Sequence, residues 1–197
     1  MAHNIPFDAY YYDIERSVEV LNEFLLFQFE EPENVENFVT DLYNILERKI
    51  PKLNTLVIVA PPSSGKNYLF DAISAYYINT GNLNTINRYN SFPYQDISNR
   101  RVVFWNEPNY HTDQTDKLKE ILGGDFTKVS VKYKSNSPVA RTPIIICSNS
   151  VLPFQSNPAF NDRCKYYSFV QAPYLANYKY KPNPLAIYHL FKQYNLE

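Results

Sequence analysis

The feature that most constrains this chain is Gly65-Lys66, set between an apolar β-branched run and a helix-forming run. Leu56-Val57-Ile58-Val59-Ala60 reads as a short buried parallel strand. Pro61-Pro62-Ser63-Ser64 follows, and Leu69, Phe70, Ile73, Tyr76 and Tyr77 then mark a helix. Strand, tight loop and helix form the frame in which the phosphate-loop pattern G-x-x-x-x-G-K-[ST] works. Backbone N–H groups face an anion, a helix N-terminus lies behind them, and a lysine reaches the β- and γ-phosphates. Average proteins are about 7% glycine, yet only 4 glycines occur in these 197 residues. One placed directly before a lysine in this frame therefore carries weight. Two positions depart from the pattern. Ala60 replaces the first glycine, a mild change if its φ stays negative. Asn67 replaces the hydroxyl residue that ligates Mg²⁺; its amide oxygen is also a hard neutral ligand, one atom farther out.

The rest of the chain fits an α/β layer sandwich. Ile14, Val18, Leu21, Phe24 and Leu25 recur at helical spacing, as do Val35, Phe38, Leu42, Ile45 and Leu46. Pro32 separates the two runs and Asn34 can cap the second. This helical hairpin either packs on the main domain or forms a collar that joins subunits. After it, Thr85–Tyr89 is a weak strand, Arg101–Trp105 a strong one and Pro143–Asn149 another, while Asn79-Thr80-Gly81-Asn82 reads as a turn. Asp113–Leu122 is a short helix stopped at Gly123-Gly124, and a last helix is expected over Leu185–Tyr194. Lys128–Lys134 alternates at period two and reads as one arm of a hairpin. Residues 1–50 make a helical region and residues 51–197 one domain around a central parallel sheet. In such sheets ligands sit at the carboxyl ends of the strands. Three strand ends here carry polar groups: the loop to Lys66, then Glu107, then Asn149.

Composition excludes several alternatives. The 19 Lys+Arg against 20 Asp+Glu leave a net charge of -1, so nucleic-acid binding must come from a local patch or from assembly. The 2 cysteines, Cys147 and Cys164, are too few for a disulfide framework and point to a reducing compartment. The 3 histidines are scattered, which disfavours structural zinc and two-histidine nuclease chemistry. No apolar run is long enough for a membrane helix, and the first residues lack the pattern of a signal peptide.

Candidate site residues follow from chemistry. Pro62, Ser63, Ser64, Gly65, Lys66 and Asn67 would hold a nucleotide. Val102–Trp105 ends in Asn106-Glu107 about forty residues downstream, the Walker B arrangement, in which the acid holds Mg²⁺ or orients the attacking water. Asn149 could orient water with its neutral amide, although Ser-Asn-Ser after a strand is commonly a turn. Lys132 and Lys134, with Lys128 upstream, place cations on one face of a strand and Tyr133 on the other, which suits backbone phosphates and a stacked base. The same pattern fits a strand edge kept soluble by lysine. Arg163 lies in a loop where an arginine finger could sit.

In this order the motifs resemble the helicase domain of the large nonstructural replication protein of parvoviruses, most closely that of insect and crustacean densoviruses. That domain is a superfamily 3 helicase. The resemblance spans about residues 54–170. It is carried by Pro61–Asn67, Asn90–Asp96, Phe104–Glu107, Lys119–Asp125, the Lys132/Lys134 pair, Thr142–Asn149 and Asp162-Arg163. It implies an AAA+-like P-loop ATPase sandwich preceded by an N-terminal oligomerisation region. It implies ATP and Mg²⁺ as cofactors, with Asn67 and Glu107 at the metal, Glu107 polarising water and Asn149 as sensor. Arg163 would reach the ATP of a neighbouring subunit, and Lys132 and Lys134 would grip single-stranded DNA. The implied assembly is a hexameric ring moving 3′ to 5′ in the host cell nucleus during viral DNA replication, with no membrane partner.

Two departures matter. The family often has two acids where Asn106-Glu107 stands; with Asn67 as well, Mg²⁺ would rest on fewer charges and turnover would be slow. The family's nicking chemistry needs a His pair and a nucleophilic Tyr. No His-x-His occurs here, so this chain is expected to be a helicase piece of a longer protein, without nickase activity. Two other readings stay open: an RNA-directed superfamily 3 helicase, and a nucleotide-gated assembly module with feeble hydrolysis.

Overall fold

β-branched and aromatic runs become strands, and the amphipathic runs become helices. The computed structural model describes residues 10–83, 85–86, 89–133 and 136–197. The strands are β1 (Thr55–Val59), β2 (Thr80–Asn82), β3 (Val102–Asn106), β4 (Thr127–Val129), β5 (Ser137–Val139), β6 (Ile144–Ser148) and β7 (Cys164–Ser168). The helices are α1 (Ile14–Phe29), α2 (Pro32–Leu46), α3 (Lys66–Tyr77), α4 (Thr115–Gly123) and α5 (Ala186–Gln193), joined in places by short 3-10 turns. No helix among the described residues is long and apolar enough to cross a membrane.

The chain forms two compact units. One contains Asn44–Pro61 and Asn79–Ser168 and carries the sheet. Its five parallel strands run in the order β2-β3-β6-β1-β7. β1 pairs with β6 from Thr55↔Ile144 to Val59↔Ser148 and with β7 from Thr55↔Cys164 to Val59↔Ser168. β6 thus lies between β1 and β3, so the carboxyl ends of these three strands are neighbours. Val57, Val103, Trp105, Ile144 and Ile146 of the sheet pack with Leu118, Leu122, Phe154 and Phe160 in one buried cluster. Burial of such side chains is worth about 1.5–3 kcal/mol each. β4 and β5 form a separate antiparallel hairpin, with Val129 and Val139 anchored in that cluster. Cys147 and Cys164 are buried thiols outside any disulfide, and burial pushes the Cys164 thiol up to about 12.

The other unit contains the residues up to Tyr43, Pro62–Ile78 and Phe169–Glu197. α1 starts at Asp13, whose carboxylate accepts from the Arg16 N–H (2.8 Å). α1 buries Val20, Leu21, Phe24 and Leu25, and Phe24 meets the Phe169 ring edge-on at 5.6 Å. Phe29 and Phe38 meet at a tilt with ring centres 4.9 Å apart, and Tyr43 meets Phe191 at 5.1 Å.

Four details differ from the sequence expectations. α2 begins at Pro32 itself, not after an Asn34 cap, because proline suits the first turn, where its missing N–H costs nothing. The second strand is Thr80–Asn82, where a turn was expected. Its Gly81 admits the Asp96 carbonyl oxygen, which lies 2.3 Å from where a Cβ would sit. In the segment expected to be that strand, Ile86 makes only an isolated bridge to Tyr110, and Asn87 and Arg88 lie outside the described residues. β7, unmarked in the sequence, is a polar edge strand of Cys, Lys, Tyr, Tyr and Ser, without the β-branched signature. The Lys128–Lys134 arm is a strand only to Val129. Tyr133 takes φ 61, which extended pairing forbids, so Lys132 lies at the hairpin tip and the period-two facing does not apply there. Lys134 lies outside the described residues.

Candidate functional site

The phosphate-loop segment leaves β1 at Ala60, whose N–H donates to the Ser148 carbonyl at 2.8 Å. Ala60 is not among the residues with positive φ, so alanine is compatible with this position. From Pro62 the loop belongs to the unit of α1 and α3. Ser63 has φ 60 and Gly65 φ 82. A Cβ on Gly65 would stand 2.4 Å from Leu175 Cδ1 and 2.6 Å from Phe24 Cε2, so only glycine fits.

The loop carbonyls are held on one side. The Ala172 N–H donates to Ser63 O (3.0 Å) and Gln28 Nε2 donates to Ser64 O (3.0 Å). Gln171 Nε2 makes a longer contact of 3.5 Å with Pro62 O. In a planar trans peptide each carbonyl points opposite to the next N–H, and no cis peptide occurs among the described residues. The N–H groups of Ser63, Ser64 and Gly65 therefore turn away from these partners. Among the described residues none of the three meets an acceptor. The Ser64 hydroxyl is buried and also lacks a partner among them. Gly65 caps α3, with the Tyr68 N–H on its carbonyl at 2.8 Å. Lys66 and the exposed Asn67 open the first turn of α3. Unsatisfied N–H groups at a helix N-terminus form a concavity suited to phosphate.

Glu107 and Asn149 come together in the sheet unit. The Glu107 N–H extends the β3–β6 ladder onto the Cys147 carbonyl (2.8 Å), and φ 46 then turns the chain out of the strand. Glu107 Oε2 accepts from the Asn149 backbone N–H at 3.1 Å. The Ser148 hydroxyl fixes the following turn, donating to Ser150 O (2.7 Å) and accepting from its N–H (3.2 Å). The Asn149 backbone thus makes this bond to Glu107, where the sequence pointed to the side-chain amide. Asn106 and Glu107 are both exposed at the strand end. A carboxylate at a strand end suits Mg²⁺, which is held by one or two carboxylates and keeps several waters and substrate phosphates. The described residues contain no cluster of three or more His, Cys, Asp or Glu that could hold a metal without a substrate.

The remaining predicted residues lie elsewhere in the sheet unit. Lys128 is exposed on β4. Lys132 and Tyr133 are exposed at the tip, with Lys132 Nζ 5.0 Å from the Tyr133 ring centre. Arg163 directly precedes β7. Its Nε donates to the Lys119 carbonyl in α4 (3.0 Å) and its Nη1 to the Ala159 carbonyl. Beside it, Asn54 Nδ2 reaches Ile121 O (3.3 Å) and Thr55 Oγ1 reaches Leu122 O (2.8 Å). Arg163 is thus one of three side chains satisfying the carbonyls of the last turns of α4. The sequence reading missed Gln28 and the Val170–Leu175 segment, which support the phosphate loop. Only a Gln on a mostly apolar helix face signalled the first, and nothing local signalled the second.

The chain is similar to known proteins over most of its length. The family model of the parvovirus non-structural protein NS1 matches residues 25–157. The initiator protein NS1 of Diatraea saccharalis densovirus is 42% identical over 187 residues, covering 94% of this chain and 34% of that protein. The initiator protein NS1 of Bombyx mori densovirus is 38% identical over 193 residues, covering 93% of this chain and 22% of the relative. The chain thus spans between about a fifth and a third of the length of these relatives. Among solved structures, the JCV helicase aligns with a TM-score of 0.60 at 14% identity, over 88% of this chain and 54% of that one. At that identity the likeness concerns the fold: an α/β architecture around a parallel sheet, as in viral helicases.

Proposed function

This chain belongs to the parvovirus non-structural protein NS1 family, and we propose that it is the ATP-hydrolysing, DNA-translocating part of a viral replication initiator. The observation that carries the reading is the loop Pro62–Gly65. Its carbonyls are tied back and the N–H groups of Ser63, Ser64 and Gly65 lack acceptors among the described residues at the start of α3. Such a loop has a use for an anion and little use otherwise.

In this reading the three N–H groups and the Lys66 ammonium hold the β- and γ-phosphates of ATP. Glu107, steadied by the Asn149 N–H, orients and polarises the attacking water, and Asn149 senses the γ-phosphate. Asn67 and Glu107 would hold Mg²⁺, which when bound neutralises charge on the phosphates. Arg163 would act on the ATP of a neighbouring subunit, a role that requires its guanidinium to leave the carbonyls of Lys119 and Ala159. Lys132 and Lys134, with Lys128, contact the phosphates of single-stranded DNA, and the exposed Tyr133 offers a stacking face. The proposed assembly is a ring, hexameric by resemblance, moving 3′ to 5′ on viral DNA in the host nucleus. Nicking is not part of this chain's chemistry.

The test is Mg²⁺-dependent ATP hydrolysis across a protein concentration series, with and without single-stranded DNA and with Lys66→Ala as the blank. Activity per subunit that rises with concentration and with DNA supports a motor completed between subunits. Activity at the blank's level at every concentration overturns it. Asn67 and Asn106, which leave Mg²⁺ few charges, favour a second reading as a nucleotide-gated assembly module. That reading predicts ATP-dependent oligomers that persist in Glu107→Gln, seen by sedimentation, with negligible wild-type turnover.

A further inference from the structure

α1 buries an apolar face made of Val20, Leu21, Phe24 and Leu25, and near its end that face carries a glutamine. Gln28 is 7% exposed. A buried carboxamide is costly unless its donors and acceptor are used. Here Nε2 donates to Ser64 O (3.0 Å) and to Val170 O (3.0 Å), and Oε1 accepts from the Val170 N–H (2.7 Å). One side chain therefore joins three stretches far apart in sequence: α1, the phosphate loop and the segment after β7. A helix that only buried a face at this point would be served by leucine or methionine.

The bond to Ser64 has a directional consequence. The Ser64 carbonyl and the Gly65 N–H belong to one planar peptide. Holding that carbonyl against Gln28 aims the Gly65 N–H the opposite way. Rotating the peptide would replace this donor with a carbonyl oxygen, which repels phosphate. Gly65 at φ 82 has no Cβ to oppose such a rotation, so the restraint must come from outside the loop.

We propose that Gln28 is a positioning residue of the nucleotide site: its carboxamide fixes the Ser64–Gly65 peptide in the orientation that binds phosphate. The proposal rests on the reading of Pro62–Asn67 as a phosphate loop and adds α1 to the machinery of that site.

The test measures binding of a fluorescent ATP analogue with Mg²⁺ from pH 5.5 to 8, alongside thermal melting, for wild type, Gln28→Met, Gln28→Glu and Lys66→Ala. Gln28→Met retains the volume and loses the directed bonds. It should melt as a folded protein yet bind the analogue at least tenfold more weakly. In Gln28→Glu at pH 8 a carboxylate would face the carbonyls of Ser64 and Val170, and binding should be weaker still. On acidification the neutral acid regains an O–H donor, so the affinity of this variant relative to wild type should rise. Neither partner of Gln28 titrates, so the change in ratio belongs to the introduced carboxyl. A folded Gln28→Met with wild-type affinity would overturn the proposal. Should Gln28→Met not fold, the Gln28→Glu ratio decides, and a flat ratio across pH overturns it. Lys66→Ala separates the two claims. Loss of binding there with intact Gln28 variants rejects the positioning role alone, whereas retained binding in Lys66→Ala rejects the phosphate loop itself.

Discussion

The phosphate loop and the lysine hairpin, both proposed to contact phosphate, are built in opposite ways. The loop is short, partly buried and tied through its carbonyls, with one residue at φ 82 where only glycine fits. The hairpin has two three-residue strands, one of them containing Pro138, and Val129 and Val139, with Val131 packed beside them, anchor it in the core. Its tip residues Lys132 and Tyr133 are exposed, Tyr133 at 91%. A small anion that must react needs fixed N–H directions, since reach and angle decide whether the γ-phosphate is aligned. A polymer that slides needs charge on long side chains and a π-face, which tolerate imprecision. Substitutions in the loop should therefore fail sharply, and substitutions in the hairpin should fail by degrees.

The largest expected effect is at Gly65. Gly65→Ala places a methyl against Leu175 Cδ1 and Phe24 at a φ that alanine disfavours. Nucleotide affinity should fall by at least about a hundredfold, as should that of Lys66→Ala, which leaves the β- and γ-phosphate charge unpaired. Titration with a fluorescent ATP analogue measures both. Near wild-type binding in Gly65→Ala would mean that the loop is more pliable than its packing implies, and the contrast with the hairpin would collapse.

Arg163 comes next. Arg163→Ala removes two hydrogen bonds to backbone carbonyls as well as any role at a neighbour's ATP. The structural part alone should cost about 1–3 kcal/mol, visible as a lower melting temperature in the absence of nucleotide. If hydrolysis is lost and partly recovers on mixing with Glu107→Gln subunits, the finger role holds in addition. A variant that melts like wild type would show that the carbonyl bonds contribute little and that Arg163 leaves them readily.

Much of this was legible in the chain itself, for reasons that also explain the gaps. β1, β3 and β6 are buried on both faces, so they appear as unbroken apolar runs, and Gly65-Lys66 and Glu107 fall at their ends. α1, α2, α4 and α5 follow from helical periodicity. β7 and β2 were not legible, because an edge strand needs few apolar residues and Gly81 mimics a turn. The support behind the phosphate loop was not legible either. Gln28, Val170 and Leu175 meet Ser64 and Gly65 only across more than thirty residues of sequence, and no local pattern records such a meeting. Arg163 shows the reverse: its motif context suggested a finger, while its nearest carbonyls belong to its own fold.

In the hairpin, Lys132→Ala with Lys134→Ala should leave melting unchanged, because Lys132 is exposed at the tip. Single-stranded DNA binding should weaken. The slope of log affinity against log salt should become shallower by about 0.7 for each phosphate that the variant no longer neutralises. An unchanged slope would move the DNA-binding surface away from the hairpin, while a sharp all-or-none loss would make the hairpin as exacting as the loop.

The smallest effect concerns acid stability on the loop's side of the contrast. Tyr178 follows Leu175, the residue that covers Gly65, and its hydroxyl donates to Glu23 Oε2 at 2.5 Å. This bond, reinforced by Arg16 and only partly opposed by burial, holds the Glu23 carboxyl below its ordinary value. A carboxyl depressed in the folded state stabilises the fold above its unfolded pKa, about 4.3. That contribution disappears as pH falls through the folded value. Glu23 is exposed and Tyr178 half-buried, so solvent screens the bond and the contribution is small. Tyr178→Phe should therefore lower the melting temperature slightly at pH 7, and the difference from wild type should shrink as pH falls below about 4. If the tie steadies Leu175 over Gly65, the same variant should bind nucleotide modestly less tightly than wild type at pH 7, and DNA binding through the hairpin should not change. Parallel losses of both activities would show that losing this bond weakens the whole fold, and that the loop has no private support on this side.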